Sequence, residues 1–472
     1  MTSLLSPISR LRFLLVAEPA RWLRPLLVVG MLALSVAIPR LFSEQDIWFL
    51  LGLPLGVAGL LLFLRWPPLG LVLLIPVGMF VPFEISTGSN TTVNATILLL
   101  ALLSGLWVIQ LVTSRSQATP IPARILAPLL ALLLIALLAF LAGQLPWFPF
   151  AGQTAPLTAQ LGGLMVFVLS AAAFLLAAHQ LRDLRWLQWL TWLFLALGGL
   201  VVAGALLRPG PGEIILRFFQ RDAAGSLFWV WLVALAFGQA LFNKQLHPGW
   251  RMALVGLVAA SLYFGAVLNS GWRAGYIPPL AAVAAIIALR SWRAALAVVL
   301  LGAVPAWLLV NDALVADEYS YSTRTEAWLL MYEIIRVNPL LGFGPANYYW
   351  YTPLFRIRGF YVPFNAHSQY VDMVAQIGLL GLASFLWFVF EVGRLGWRLR
   401  RKVPEGFAKA YVFGAMGGLA GTLFAGILGD WIIPFVYNVG LSGMRASIMA
   451  WIFLGGLVAL GQMQMKSEAS PQ

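Results

Sequence analysis

The chain has 472 residues, 61% hydrophobic and only 10% charged, with a mean hydropathy of +0.88. Soluble domains carry about 25% charged residues, so this composition excludes a soluble globular domain and a disordered chain. The formal net charge is +13 and there are no cysteines, which excludes thiol catalysis, disulfide bonds and cysteine-ligated metals. The basic residues lie in short segments between apolar runs, which is typical of a membrane protein and not of a nucleic-acid-binding surface.

Apolar runs recur along the whole chain, each long enough to cross the hydrocarbon core of a bilayer. The sequence therefore predicts an all-α polytopic membrane protein with about 12–14 transmembrane helices and one large, partly helical extracytoplasmic loop. The predicted spans are residues 25–43, 47–64, 66–82, 91–113, 125–142, 157–178, 186–207, 223–242, 251–268, 276–289, 292–310, 368–393, 408–428 and 444–462. Prolines within 66–82 and at the start of 276–289 indicate kinked or partial helices.

This pattern divides the chain into five parts. They are a cytoplasmic N-terminal arm at 1–24, a transmembrane bundle at 25–310, the large loop at 311–367, C-terminal transmembrane helices at 368–462 and a cytoplasmic tail at 463–472. The basic N-terminal arm lacks a clear signal-peptide cleavage pattern, so we expect it to be retained.

The distribution of charge predicts the orientation. If the N-terminus is inside and the spans alternate, most of the 30 Lys and Arg residues fall on the inner side. The positive-inside rule then places both termini of a multi-pass membrane protein in the cytoplasm. The outer face receives four segments of interest, residues 208–222, 269–275, 311–367 and 429–443.

The large outer loop is the main polar stretch of the chain. Thr323 and Glu326 fit a capping box and predict a helix over 323–337, which ends because Asn338 precedes Pro339. Tyr348, Tyr349 and Tyr351 follow, for which two interpretations stay open. They form either an interfacial aromatic belt or a platform on which sugar rings stack.

Four outer residues need an explanation, because charges beside a membrane are costly. Arg217 and Arg221 precede the span at 223–242, Arg273 lies in a very short connection, and His367, one of 3 histidines, opens the span at 368–393. The arginines are either snorkelling side chains or a clamp for a diphosphate leaving group. His367 is either structural or a general base, because its usual pKa suits proton abstraction at neutral pH.

The same residues predict no metal site and no cofactor. The outer acidic residues form no recognisable ligand motif, and zinc would require more than one histidine or cysteine. The inner segments are short and have no glycine-rich nucleotide-binding loop, so ATP hydrolysis is not expected from this chain.

Three motifs resemble the O-antigen ligase / O-antigen polymerase superfamily of bacterial envelope enzymes. They are NPLLGFGPANYYW at 338–350, FNAHSQYVDMVAQIGLLGL at 364–382 and NSGWRAGY at 269–276. The resemblance places the family histidine on His367 and one family arginine on Arg273. A second family arginine matches Arg217 by its spacing to the following span, with Arg221 as the alternative. Residues 1–200 match only as hydrophobic spans.

The resemblance implies a metal-independent membrane glycosyltransferase of the GT-C type. Such an enzyme moves a glycan from a polyprenyl-diphosphate carrier to an acceptor sugar hydroxyl, on a glycan or a lipid-linked glycan, at the outer face of the inner membrane. In this family the histidine is the proposed base and the arginines hold the diphosphate. Membrane lipids are further partners, and the resemblance also admits a chain-length regulator.

Two alternatives stay open at this point. A ligase and a polymerase share this chemistry and differ in acceptor, and the number of predicted spans slightly favours a polymerase or a general lipid-linked glycan ligase. A transporter or flippase for the lipid-linked glycan also fits a many-spanned chain. The sequence shows no inverted repeat and no pair of broken helices, which disfavours transport.

Overall fold

The computed structural model describes residues 59–86, 92–113, 121–151, 153–294 and 318–469, together with residues 296, 297 and 300. Residues Met1–Arg65 form one unit and Trp66–Gln472 another. The predicted arm at 1–24, the span at 25–43 and most of the spans at 47–64 and 292–310 lie outside the described residues, as do the first residues of the large loop and the last three of the tail.

The second unit is built almost entirely of helices. In chain order they are α1 (Pro67–Phe80), α2 (Ala95–Thr113), α3 (Ala123–Ala142), α4 (Leu157–Gln180), α5 (Leu184–Leu206), α6 (Pro211–Arg217), α7 (Ser226–Phe242), α8 (Pro248–Tyr263), α9 (Ile277–Arg290), α10 (Glu318–Ile335), α11 (Tyr348–Tyr351), α12 (Gln369–Lys402), α13 (Phe407–Leu428) and α14 (Met444–Ala469). Two short antiparallel strands, β1 (Glu84–Ser86) and β2 (Thr92–Asn94), precede α2.

The prediction of an all-α polytopic membrane protein is confirmed. Among the described residues, nine helical segments are long and apolar enough to cross a membrane, and α1 and α7 are shorter apolar helices. Every predicted span inside the described ranges coincides with a helix. The last segment, Leu441–Glu468, is the most deeply packed of these nine, with 94% of its most apolar window buried, whereas only 22% of the corresponding window is buried in Ala95–Val112 and in Pro248–Leu268.

The connections between helices gather at two ends of the bundle. At one end, Ser226 at the start of α7 donates to Ala274, before α9. At the other end, Gln245 contacts Glu405, and Lys402 forms an ion pair with Glu468 at 3.5 Å.

The helix in the large loop begins earlier than predicted. α10 starts at Glu318, so Thr323 and Glu326 lie inside it and the predicted capping box is wrong. A carboxylate oxygen of Glu326 instead accepts from the backbone N–H of Arg358 at 3.0 Å, and the hydroxyl of Thr323 accepts from Arg358 Nε at 3.1 Å. These bonds hold the later part of the loop against α10. The predicted end before Pro339 agrees with the observed end of α10 at Ile335.

α12 is broken at Gly378, whose φ of 69° is not helical. Residues 339–344 lie across this break and bond to its backbone. The part of α12 before the break begins just after His367. Because residues 339–344 bond to the break, the loop and the start of α12 form one packed structure.

Candidate active site

One cavity of about 980 Å³ opens among the connections at one end of the bundle. All four segments that the alternating topology places on one face contribute to its wall, residues 208–222, 269–275, 311–367 and 429–443. Ligand sites for small molecules commonly have volumes of about 300–1,000 Å³. The cavity therefore has room for a diphosphate together with part of a glycan.

Arg273 reaches this cavity from a turn between α8 and α9. α8 continues as one π-helical turn, Phe264–Leu268, and the chain then forms a 3₁₀ turn, Arg273–Gly275. Ser226 fixes that turn by donating to the carbonyl of Ala274. Arg273 is half-buried and lines the cavity, as expected from the small residues around it.

The structure distinguishes between the two arginines that the sequence left open. Arg217 ends α6, is exposed and is not among the residues lining the cavity. The chain then turns, and the backbone N–H of Gln220 donates to Met79 at 2.7 Å, so that the next turn begins at Arg221. Arg221 lines the cavity. Sequence spacing favoured Arg217 because spacing only counts residues along the chain before the next span. In the structure, the chain turns at 218–220, and Arg221, which follows this turn, is the arginine that reaches the cavity wall.

His367 lies at the cavity wall immediately before α12. Its φ of 46° is in the left-handed region, which is uncommon for a residue other than glycine. The side chain is exposed to the cavity, yet the surrounding protein partly shields it from water. This desolvation, and secondly the positive charge of Arg324, lower the pKa of His367 below its usual value. The neutral imidazole, the form that accepts a proton, is thereby favoured.

Two further arginines line the cavity that sequence reasoning did not single out, Arg208 and Arg324. Arg208 follows the end of α5, and Arg324 belongs to α10. A charge on a polar helix is usually a solvated surface charge, so nothing in the local pattern marks Arg324. Asp222 is the only acidic residue among the lining residues described. The wall therefore carries an excess of positive charge.

The three tyrosines proposed as a glycan platform do not line the cavity. Tyr348 and Tyr351 are fully buried, and Tyr349 is half-buried with its ring stacked on Tyr437, centroids 4.7 Å apart. Tyr348 and Tyr351 therefore offer no ring face to a sugar, and one face of Tyr349 is covered by Tyr437. The rings at the wall come from other segments.

Two tryptophans form an aromatic corner in the wall of the cavity. Trp272, next to Arg273, and Trp431, after α13, meet edge to face with ring centroids 5.9 Å apart. The indole Nε1 of Trp431 is buried and has no hydrogen-bond partner among the described residues. The polar side chains Asn269, Asn438 and Ser442 lie in the same wall. This combination of ring faces and hydrogen-bonding groups suits a sugar.

Within the described part of the chain, no group of three or more His, Asp or Glu side chains is arranged to hold a metal ion. The polar groups of the cavity are instead mainly guanidinium groups and one imidazole. Guanidinium forks bind phosphate oxygens in pairs, and a neutral imidazole accepts a proton.

Comparison with known proteins identifies the region that carries this site. A family model described as O-antigen ligase matches residues 246–386. The match begins just before α8, ends within α12, and includes Arg273, Arg324 and His367. A search of curated proteins found no match. The family match over residues 246–386 supports the resemblance to the O-antigen ligase / O-antigen polymerase superfamily, and the apolar helices among the described residues indicate a multi-pass membrane protein.

Proposed function

We propose that this protein transfers a glycan from a polyprenyl-diphosphate carrier to a hydroxyl group of an acceptor sugar, at the outer face of a bacterial inner membrane. One observation carries the proposal. His367, Arg221 and Arg273 come from three separate connections and line the same cavity. Together these residues place a general base and a diphosphate clamp in one cavity.

The arginines account for the donor. Arg221 is exposed at the cavity wall and has no ion-pair partner among the described residues. A diphosphate carries several negative charges, and a guanidinium binds two phosphate oxygens at once. Arg221 and Arg273 bind the diphosphate, and Arg208 and Arg324 add to the positive field around it. Such a field stabilises the charge that develops on the leaving group.

His367 accounts for the acceptor. Its neutral Nε2 or Nδ1 removes the proton of the acceptor hydroxyl, and the oxygen attacks the anomeric carbon of the donor. The bond between this carbon and the phosphate oxygen breaks as the new glycosidic bond forms. The polyprenyl diphosphate leaves with the electron pair, held by the arginines. The energy of the reaction lies in the donor, so no nucleotide is needed.

The apolar and aromatic parts of the wall account for the rest of the donor. Val201, Ala205 and Leu216 lie near the arginines of the same cavity and offer a path for the isoprenoid chain. Trp272 and Trp431 offer ring faces to the sugar next to the diphosphate. The O-antigen ligase match favours this transfer over the transport of a lipid-linked glycan.

The decisive experiment reconstitutes the purified protein with a polyprenyl-diphosphate glycan and two acceptors, a lipid A–core glycan and a second lipid-linked unit. Product on the first identifies a ligase, and product on the second identifies a polymerase. His367→Asn removes the base, while asparagine tolerates the left-handed backbone better than alanine. We expect kcat to fall by about a hundredfold or more, with donor binding unchanged.

His247→Asn is the matched control. His247 lies at the other end of the bundle and accepts from the backbone N–H of Gly249 at the start of α8. Asparagine is a good helix cap, so this variant should transfer glycan normally. Near-normal transfer by His367→Asn would remove the general-base role.

A further inference from the structure

The backbone around His367 is held in an unfavourable conformation by its surroundings. A histidine with a φ of 46° persists only where neighbouring contacts over-determine the backbone. Two of these contacts hold the residues that precede it in the chain. The hydroxyl of Thr352 accepts from the N–H of Phe364 at 3.0 Å, and Trp328 Nε1 donates to the carbonyl of Ala366 at 2.8 Å.

A third contact is a buried pair on the inner side of the same turn. The phenol of Tyr348 donates a short hydrogen bond to Oδ1 of Asp372, and both residues are 0% exposed. Asp372 lies in the first turn of α12, and its N–H donates to the carbonyl of Ser368 at 2.9 Å. The other carboxylate oxygen of Asp372, Oδ2, is buried and has no hydrogen-bond partner among the described residues. The pair is thus linked through Asp372 to Ser368, the residue that follows His367.

Tyr348 is itself fixed by packing. Its ring stacks on Phe435, with centroids 4.8 Å apart and the planes inclined by 20°. Phe435 donates its backbone N–H to Asp430, in the segment that also supplies Trp431 and Asn438 to the cavity. Burial, and then the nearby carboxylate of Asp372, raise the pKa of Tyr348 well above its usual value, so the phenol keeps its proton and donates it.

We propose that Tyr348 and Asp372 are positioning residues for His367, which hold the 364–368 turn so that the imidazole faces the cavity. This inference rests on the proposed function. Neither residue lines the cavity, so neither touches the substrate. Fold stability alone does not explain the pair, because a buried carboxylate is costly to desolvate and well-packed apolar side chains serve stability equally well. A directional bond from Tyr348 to the first turn of α12, which begins just after His367, does explain it.

The test is a double-mutant cycle on kcat with Tyr348→Phe, Asp372→Asn and the double variant. A displacement of the base of about 1 Å is enough to lower a rate by two orders of magnitude. We expect each single variant to lower kcat by about tenfold to a hundredfold, with donor KM changed less than about threefold. Because the two residues act as one unit, the double variant should be no slower than the slower single variant.

Tyr411→Phe is the control for loss of a buried phenol. Tyr411 is also 0% exposed and donates to the carbonyl of Phe453 at 2.7 Å, away from the turn. It should lower the unfolding temperature about as much as Tyr348→Phe and leave kcat unchanged. If Asp372→Asn does not fold, Tyr348→Phe, which loses a single hydroxyl, carries the test alone.

Two outcomes would overturn the proposal. In one, Tyr348→Phe and Asp372→Asn lose stability while the folded protein keeps the kcat of the wild type. In the other, they raise donor KM instead of lowering kcat. The His367→Asn variant distinguishes failure of the positioning role from failure of the proposed function. If the positioning role alone is wrong, His367→Asn is inactive while the pair variants are active; if the function is wrong, the wild-type protein itself transfers no glycan.

Discussion

Leu379 donates its backbone N–H to the carbonyl of Pro339, 2.8 Å away. This bond joins two of the motifs that carry the family resemblance. α12 breaks at Gly378, and the break frees backbone groups on both sides of it. The carbonyls of Ala375 and Gln376 accept from residues 343 and 344, each at 2.9 Å. The backbone of residues 339–344 therefore forms hydrogen bonds with the groups that the break in α12 leaves unpaired. The glycines of the two motifs allow the two backbones to approach closely enough for these bonds.

Gly378→Ala should strongly destabilise the protein. Gly378 has a φ of 69°, and a Cβ there would collide with the carbonyl of Leu340. The left-handed conformation and the overpacking together should lower the free energy of unfolding by about 3 kcal/mol or more. The measurement is the unfolding temperature in detergent with the yield of monodisperse protein.

Gly393→Ala is the control in the same helix. A Cβ at Gly393 would meet only Leu419, at an ordinary 3.7 Å. Alanine has the higher helix propensity, so this variant should be at least as stable as the wild type. Equal stability of Gly378→Ala and the wild type would contradict the account of the break.

The cavity-lining arginines should be needed for use of the donor. Arg221→Gln and Arg273→Gln each remove a guanidinium from the wall, so we expect kcat/KM for the donor to fall by about tenfold or more. Arg217→Gln should lower kcat/KM for the donor much less, because Arg217 does not line the cavity. Arg336→Gln is the background control, since Arg336 is exposed and pairs with Glu333 on the surface of α10. A larger effect of Arg217→Gln than of Arg221→Gln would reverse this assignment.

The rate should depend on the protonation of His367. Desolvation and the charge of Arg324 lower the pKa of His367, so the base stays neutral, and the rate stays high, down to a pH below its usual pKa of 6.5. Arg324→Gln removes a positive charge that disfavours the imidazolium. It should raise the pKa of His367 and move the acidic limb of the kcat profile to higher pH.

Arg336→Gln should leave that limb in place, because the positive charge that lowers the pKa of His367 is that of Arg324 and not that of Arg336. A limb that does not move in Arg324→Gln would show that the limb reports another group. A limb that moves to lower pH would contradict the sign of the interaction.

The aromatic corner should bind the glycan of the donor. Trp431→Ala removes a ring face from the wall and should raise donor KM by about tenfold, because stacking on an aromatic ring contributes about 1 kcal/mol or more. Trp250→Ala is the control, since Trp250 is 69% exposed at the start of α8. Binding of the carrier without its sugar tests whether stacking on the glycan is the cause. Trp431→Ala should weaken binding of this carrier less than it weakens binding of the complete donor.

The sequence determined the membrane character, the helical class and the set of connections that share one face, because each depends on local composition and on the alternation of spans. It also singled out Arg273 and His367, both of which line the cavity, because they stand out as polar groups at the ends of apolar runs. Tertiary structure alone decided between Arg217 and Arg221, because a turn at 218–220 directs the chain. It also buried Tyr348 and Tyr351, and it brought Arg324, Trp272 and Trp431 to the wall. These choices depend on packing between segments far apart in the chain, and no local pattern encodes them.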